Sequence, residues 1–248
     1  MTKIITTTSI QMKTRKSFPT TLGLSEIIDR KKIMKEVNNE LEKKGKYKPE
    51  LTLIQKQELN KQFIEECAKE SYDLEKIKEL LNKGVNINTR DKENMTALIW
   101  ASREGNIEIV KFLLDNSQIK INEKNINGWT ALIYASLNKS TEITTLLLND
   151  SRTEINEKTI AGGTALILAC EHKRLENVKL LLKHPKIKVN EKNDGGWTAL
   201  SRTIKYGYYD IISLLIDAGA EVHKSELLDI SFKNLIKYGI RKLKGVFA

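Results

Sequence analysis

The chain has 248 residues, 40% hydrophobic and 30% charged, with 42 Lys+Arg against 32 Asp+Glu for a formal charge of +10. That apolar content excludes disorder throughout, and 13 Gly with 3 Pro exclude a collagen-like chain. No apolar run approaches the ~20 residues of a membrane helix, the N-terminus has no secretory apolar core, and Cys67 and Cys170 make no disulfide framework; a soluble, cytoplasmic protein is expected.

Residues 1–24 are rich in Thr and Ser, carry Lys3, Lys13, Arg15 and Lys16, and contain no acid. A disordered basic tail is expected; an organelle-targeting peptide shares the composition but is richer in Arg. Residues 25–50 predict a helical extension from Ser25 to Lys44, ended by Gly45, with Ile27, Met34, Val37 and Leu41 on one side for packing against the first repeat. From residue 51 the repeat region begins. Thr52 and Gln55 have capping-box spacing. Phe63, Ile64 and Cys67, then Leu74, Ile77, Leu80 and Leu81, predict two amphipathic helices over 54–82 as an N-terminal cap.

Four strings then recur at a step of 34: Thr96-Ala97-Leu98-Ile99, Thr130-Ala131-Leu132-Ile133, Thr164-Ala165-Leu166-Ile167 and Thr198-Ala199-Leu200-Ser201. Eight residues before each Thr stands Asn88, Asn122, Asn156 or Asn190, and two before it Asn94, Gly128, Gly162 or Gly196. The latter are residue types that tolerate positive φ in a tight turn. An apolar pair follows each Thr: Leu113-Leu114, Leu147-Leu148, Leu181-Leu182, Leu215-Ile216. In one unit, Thr96 can cap a helix whose Ala97, Leu98 and Ala101 form a small apolar face. Gly105-Asn106 ends it, and Ile107, Val110, Leu113 and Leu114 give a second helix its buried stripe. Such a pair cannot bury its own apolar face and must stack on neighbours. Residues 224–248 predict C-terminal capping helices and a basic tail: Leu227, Leu228, Ile230, Leu235 and Ile236 are apolar, and Lys233, Lys237, Arg241, Lys242 and Lys244 keep the outer side wet or offer a patch to an acidic partner.

This pattern resembles the ankyrin repeat family, best over Asp91–Ile99, Asn125–Ile133, Asn193–Ser201 and Gly219–His223. The family's Thr-Pro-Leu-His is Thr-Ala-Leu-Ile in three units and Thr-Ala-Leu-Ser in the fourth, which removes a pre-set φ and a side-chain hydrogen bond. The linkers Asp115–Asn122, Asn149–Asn156 and Lys183–Asn190 are one residue longer than Asn82–Asn88 and lack its Gly, so longer fingertips are expected. Tetratricopeptide repeats share the period but want Trp, Leu-Gly, Tyr and Pro at set places, and these are missing. The resemblance implies an all-α ankyrin-repeat solenoid, helix-turn-helix pairs linked by β-hairpin-like loops, with an N-cap and four full repeats over 51–223.

Charge and chemistry narrow the function. Residues 1–60 hold 13 basic and 7 acidic side chains, residues 224–248 hold 6 and 2, and the segment between has equal numbers of each. Phosphate contacts supply most nucleic-acid affinity, so a neutral middle argues against a nucleic-acid role for the repeats; binding of an anionic surface or nucleic acid by the basic flanks is the alternative. No Gly-rich phosphate loop occurs. His172, His184 and His223 form no metal motif, so no metal and no cofactor is expected. Cys170 reads as a core thiol, and Cys170 with His172 point to different sides of a helix, so no nucleophile pair forms. No enzyme activity is expected.

The resemblance further implies a protein-binding scaffold, monomeric alone, that grips a protein partner through the concave first-helix face and the hairpin tips. Carried over position by position, the first-helix residues are Trp100, Arg103, Glu104, Tyr134, Leu137, Asn138, Leu168, Glu171, His172, Arg202, Lys205 and Tyr206. The tips are Met95, Ile126, Trp129, Ile160 and Trp197. Trp, Tyr and Arg dominate interface hot spots, although the rings can instead pack on neighbouring repeats. Abundant Lys, Ile and Asn point to an AT-rich genome, and ankyrin proteins of intracellular bacteria and large viruses often act on host proteins, so a host-directed effector is the implied extension. Some family members are hydroxylated at the hairpin asparagine, which makes Asn88, Asn122, Asn156 and Asn190 formal candidates.

Overall fold

A computed structural model describes residues 52–222, together with Lys32. The chain divides into two compact units, Met1–Thr52 and Leu53–Ala248, and the architecture below is that of the second. The tail at 1–24, the rest of the extension at 25–50 and the C-terminal cap at 224–248 lie outside the described residues.

Ten helices follow one another among the described residues: α1 Leu53–Cys67, α2 Leu74–Asn82, α3 Ala97–Glu104, α4 Ile107–Leu114, α5 Ala131–Leu137, α6 Glu142–Asn149, α7 Ala165–Glu171, α8 Leu175–Lys183, α9 Ala199–Tyr206 and α10 Tyr209–Asp217. After α1 they have only 7 to 9 residues. Helices that short are unstable alone, so their order comes from packing. Among the described residues the first helices α3, α5, α7 and α9 stack in sequence, each packs on its own second helix, and the main helix–helix contacts join adjacent repeats. This is the one-dimensional stack expected of a solenoid.

The local chemistry explains each start and stop. Thr96, Thr130, Thr164 and Thr198 have extended backbones, and their hydroxyls accept from the N–H of Ile99, Ile133, Ile167 and Ser201. In the last unit Ser201 also reaches back to the Thr198 N–H, closing a capping box. The departure from Ile to Ser there exchanges a core methyl for a second cap bond. Behind each cap Ala97, Ala131, Ala165 and Ala199 are fully buried, with Leu98, Ile99, Ile109, Leu113 and their counterparts forming one continuous core.

The hairpins keep one length. Asp91, Asn125, Thr159 and Asn193 each donate an N–H to the carbonyl four residues on, at Met95, Trp129, Gly163 and Trp197. Asn94, Gly128, Gly162 and Gly196 take positive φ inside these turns. The expected longer fingertips are therefore corrected. The added residue of the 34-residue units sits after the second helix, in turns closed by Ile119 N–H to Asn116 O, Thr153 N–H to Asp150 O and Ile187 N–H to His184 O. Where Gly84 or Gly219 follows the helix, the chain instead turns through paired bonds to Leu81 and Leu80 or to Ile216 and Leu215.

Three ladders tie successive repeats. Asn88, Asn122, Asn156 and Asn190 each donate Nδ2–H to a carbonyl of the next repeat (Gln118, Arg152, Lys186, Gly219). Each also accepts an N–H there on Oδ1, from Lys120, Glu154, Lys188 and Glu221. At about 0.5–1.5 kcal/mol net per bond, one such asparagine contributes about 1–2 kcal/mol at its half-exposed position. A backbone ladder joins the tips: Ile126 N–H to Glu93 O, Ile160 N–H to Asn127 O, Asp194 N–H to Ala161 O. A charge ladder pairs Arg90 with Glu123, Lys124 with Glu157 and Lys158 with Glu191. At the N-terminal repeat the buried Glu66 carboxylate takes Lys69 at 2.8 Å, Lys76 at 2.9 Å and the Asp73 N–H at 3.0 Å, fixing the α1–α2 loop.

Candidate partner-binding surface

The hairpin tips and the first helices share one face, and the structure sorts the nominated residues along it. At the tips, Ile126 is 50% exposed and Ile160 69% exposed. The backbone ladder sets them side by side, because Ile160 bonds to the residue after Ile126. Lys92 and Asp194 occupy the equivalent positions at the two ends of this row. Trp129 is half-buried, packed on the core and tilted against Tyr134 with ring centroids 4.9 Å apart. Leu137 and Leu168, near the ends of the first helices α5 and α7, are half-buried. The middle of the face is thus an apolar strip.

Met95 is a correction. It stands at a tip position in sequence but is fully buried, its sulfur accepting from Asn125 Nδ2 at 3.4 Å. The flexible thioether turns into the core where the stiff indoles of Trp129 and Trp197 cannot, so it offers nothing to a partner. Asn138 is half-buried, and its amide is committed to Ser102 O at 2.7 Å while its own carbonyl accepts from Asn177; it joins repeats. The hairpin asparagines are likewise structural ties, a role that their period alone did not reveal.

The two ends of the strip carry cations on rings. Toward the N-terminus Arg103 lies 4.9 Å from the Trp100 centroid, Trp100 donates its indole N–H to Asp91 at 2.8 Å, and Glu104 sits 3.5 Å from Arg103. Charge there is balanced. A groove of about 750 Å³ continues from Trp100 past Arg90 to Asn60, Lys61, Ile64 and Glu65 of α1, a lining that brings together residues far apart in the chain and so shows no local signal in the sequence. Toward the C-terminus Trp197 has Arg202 at 5.1 Å and Lys205 at 4.9 Å from its centroid. Glu171 lies 3.6 Å from Arg202. His172 is exposed at the end of α7, Tyr206 is 43% exposed, and its ring stacks on Tyr208 at 5.6 Å. Lys173, also not nominated, places Nζ 5.3 Å from the Tyr208 centroid. Its positive φ of 54° in a helix cap was not visible in the sequence.

Titration follows burial. Burial pushes the Tyr134 phenol above its ordinary value, against opposing effects of Arg103 and of the hydrogen bond from Asn125. Burial pushes the Cys67 thiol up to about 12 and Cys170 higher still, so both are core groups. Among the described residues no group of three or more His, Cys, Asp or Glu is gathered to hold a metal ion. No helix among them is long and apolar enough to cross a membrane. The basic flanks lie outside the described residues.

The sequence matches the family described as ankyrin repeats, in three copies, over residues 64–159 and again over 150–226. The chain belongs to the ankyrin repeat family. No curated protein matches it. The match begins inside α1, at Ile64, and ends past α10, so it takes in all four full repeats and most of the N-terminal helix pair. Ankyrin repeats are generally protein–protein interaction modules.

Proposed function

We propose that this ankyrin array is a non-enzymatic protein-recognition scaffold that docks a protein partner on the face formed by its hairpin tips and first helices. The carrying observation is where apolar surface is left open. Among the described residues five large hydrophobics are exposed: Ile126, Ile160 and Tyr206 on this face, and Leu53 and Ile54 at the start of α1. The second helices expose none. Contiguous exposed apolar groups rimmed by charge mark interaction surfaces, and the half-buried Trp129, Leu137 and Leu168 extend the strip beneath them.

The test compares the proteins retained from a lysate by the intact chain, by Ile126→Glu with Ile160→Glu, and by a second-helix control, Lys179→Glu. A set retained by wild type and control but lost from the tip variant supports the proposal. The same set on all three, with unchanged thermal melts, refutes it. The strip favours a protein over a nucleic acid, since phosphate backbones are gripped by cations and not by isoleucine.

A further inference from the structure

We infer that the C-terminal end of this face is an acid-recognising subsite, so that the partner segment seated on the apolar strip carries an aspartate or glutamate side chain at that end. The inference rests on the docking face proposed above and adds the partner's chemistry and its direction along the face.

Two cations lie on Trp197 at that end and a third on Tyr208, with Glu171 and the exposed tip residue Asp194 as the carboxylates there. Arg202 and Lys205 both lie over Trp197, at 5.1 and 4.9 Å from its centroid, and Lys173 lies over Tyr208 at 5.3 Å. Glu171 approaches Arg202 only to 3.6 Å, beyond hydrogen-bond length. Among the described residues no carboxylate pairs with Lys205 or Lys173, and the buried Nε of Arg202 finds no acceptor. A guanidinium holds five donors in a planar fork suited to a carboxylate. Here the fork is held 19% exposed against a ring, with Glu171 at ion-pair distance from one terminal nitrogen and no acceptor on the buried Nε, so an oxyanion from outside can add to what Glu171 supplies. Arg103 and Arg202 each have one glutamate at ion-pair distance; the ends differ in that Lys205 shares the Trp197 ring with Arg202, whereas at the other end the Trp100 indole donates to Asp91.

Lys173 supplies an independent observation. Its backbone makes the same helix cap as Gly207: Lys173 N–H bonds to Cys170 O and Arg174 N–H to Ala169 O, as Gly207 N–H bonds to Ile204 O and Tyr208 N–H to Thr203 O. Gly105 ends α3 in the same left-handed conformation. Glycine adopts that conformation without strain and lysine does not. A lysine in the strained position, its Nζ over the Tyr208 ring, is what a cation required for binding would look like.

The experiment pans a random 12-residue peptide display library on the immobilised full chain at physiological salt, and repeats it on Lys173→Gly with Lys205→Glu and on Arg202→Glu with Lys205→Glu. The expected result is enrichment of Asp and Glu among peptides whose binding Ile126→Glu abolishes. For a synthetic peptide so selected, changing its acids to Gln weakens binding roughly 5- to 50-fold on wild type, as for a close interfacial charge pair, and does nothing on either variant. Lys173→Gly alone lowers affinity without lowering the melting temperature, which separates loss of the subsite from loss of fold. Binders that need Ile126 but show no acid selection overturn this inference and leave the docking face standing. No binder that needs Ile126 overturns the docking face itself. A single-stranded oligonucleotide that binds wild type more tightly than any acidic peptide, and is lost in the same variants, replaces the carboxylate by a phosphate backbone and also overturns the assignment.

Discussion

Gly128 and Gly196 occupy the same turn position two repeats apart, with φ of 76° and 77°, yet the structure predicts different costs for the same substitution. An alanine at either pays the left-handed strain of an L residue, about 1–2 kcal/mol. At Gly196 nothing among the described residues lies within 4 Å of the added Cβ, so strain is the only cost those residues impose. At Gly128 the Cβ comes 2.7 Å from Ile160 N and 3.0 Å from Thr159 C, which are backbone atoms of the next hairpin. The hairpin must withdraw, stretching the 3.0 Å bond from Ile160 N–H to Asn127 O, and a lost bond adds about 0.5–1.5 kcal/mol. Asn94 bounds the penalty. It carries a Cβ at the equivalent turn, with φ reduced to 56°, and Ile126 N–H still reaches Glu93 O. Gly128→Ala is therefore expected to cost about 2–3 kcal/mol against about 1–2 for Gly196→Ala. Urea unfolding followed by far-UV circular dichroism reads both. Equal shifts in midpoint at unchanged slope, or a larger loss at Gly196, refute the close approach of hairpin to hairpin as a source of stability.

Two further outcomes follow from the same structure. Burial raises the Glu66 carboxyl, but the hydrogen bonds from Lys69, Lys76 and the Asp73 N–H outweigh it and hold the group at about 2 against the usual 4.5. A depressed folded value adds stability above the unfolded one, so the contribution is complete above about pH 4.5 and disappears as pH falls through about 2. Because the two lysines are about half exposed, the shift is discounted to about 1–2 kcal/mol; Glu66→Gln should lose that much by urea unfolding at pH 7 and converge on wild type near pH 2, and a pH-independent difference would count against the carboxylate. Trp129 packs on the core and on Tyr134 whereas Trp197 rests against cations, so Trp129→Ala should cost about 2 kcal/mol of stability and Trp197→Ala under about 1, measured as melting-temperature shifts; the reverse order would contradict the packing described.

The architecture was legible because its signals are local. A Thr that caps its own helix, a Gly that turns its own hairpin and an apolar pair on its own second helix each declare themselves within a few residues, and the period then multiplies them. What stayed hidden depends on groups a repeat away. Asn122 marks the period, but its partners are the backbone of Arg152 and Glu154, whose side chains play no part. Glu123 and Lys124 look like a neutral neighbouring pair, yet each pairs with a different repeat, Arg90 on one side and Glu157 on the other. Met95 shares a turn position with Trp129, Gly163 and Trp197, and nothing in that alignment encodes whether the side chain turns inward. The added residue of the longer units could lie anywhere between helix and tip; only the turn at Asn116–Ile119 places it.

The neutral middle of the chain takes on a different meaning once those pairs are known. Along the ladders Arg90, Lys124 and Lys158 are each matched by a glutamate of the next repeat, so much of the balanced charge is internal to the stack. Exposed helix pairs such as Lys111 with Glu108 and Lys179 with Glu176 cancel locally as well. A sum of zero therefore coexists with a surplus wherever pairing fails, and among the described residues no ion pair is formed by Lys205 of α9 or by Lys173 just after α7. The ladders also explain why that surplus is tolerated. The ties between repeats run largely through backbone groups, asparagines and ladder pairs, and they leave exposed side chains such as those of Ile126, Ile160 and Lys205 without a part in them. Because the ladders carry the stability between repeats, a lysine at positive φ and an arginine whose Nε has no acceptor can persist on a folded array.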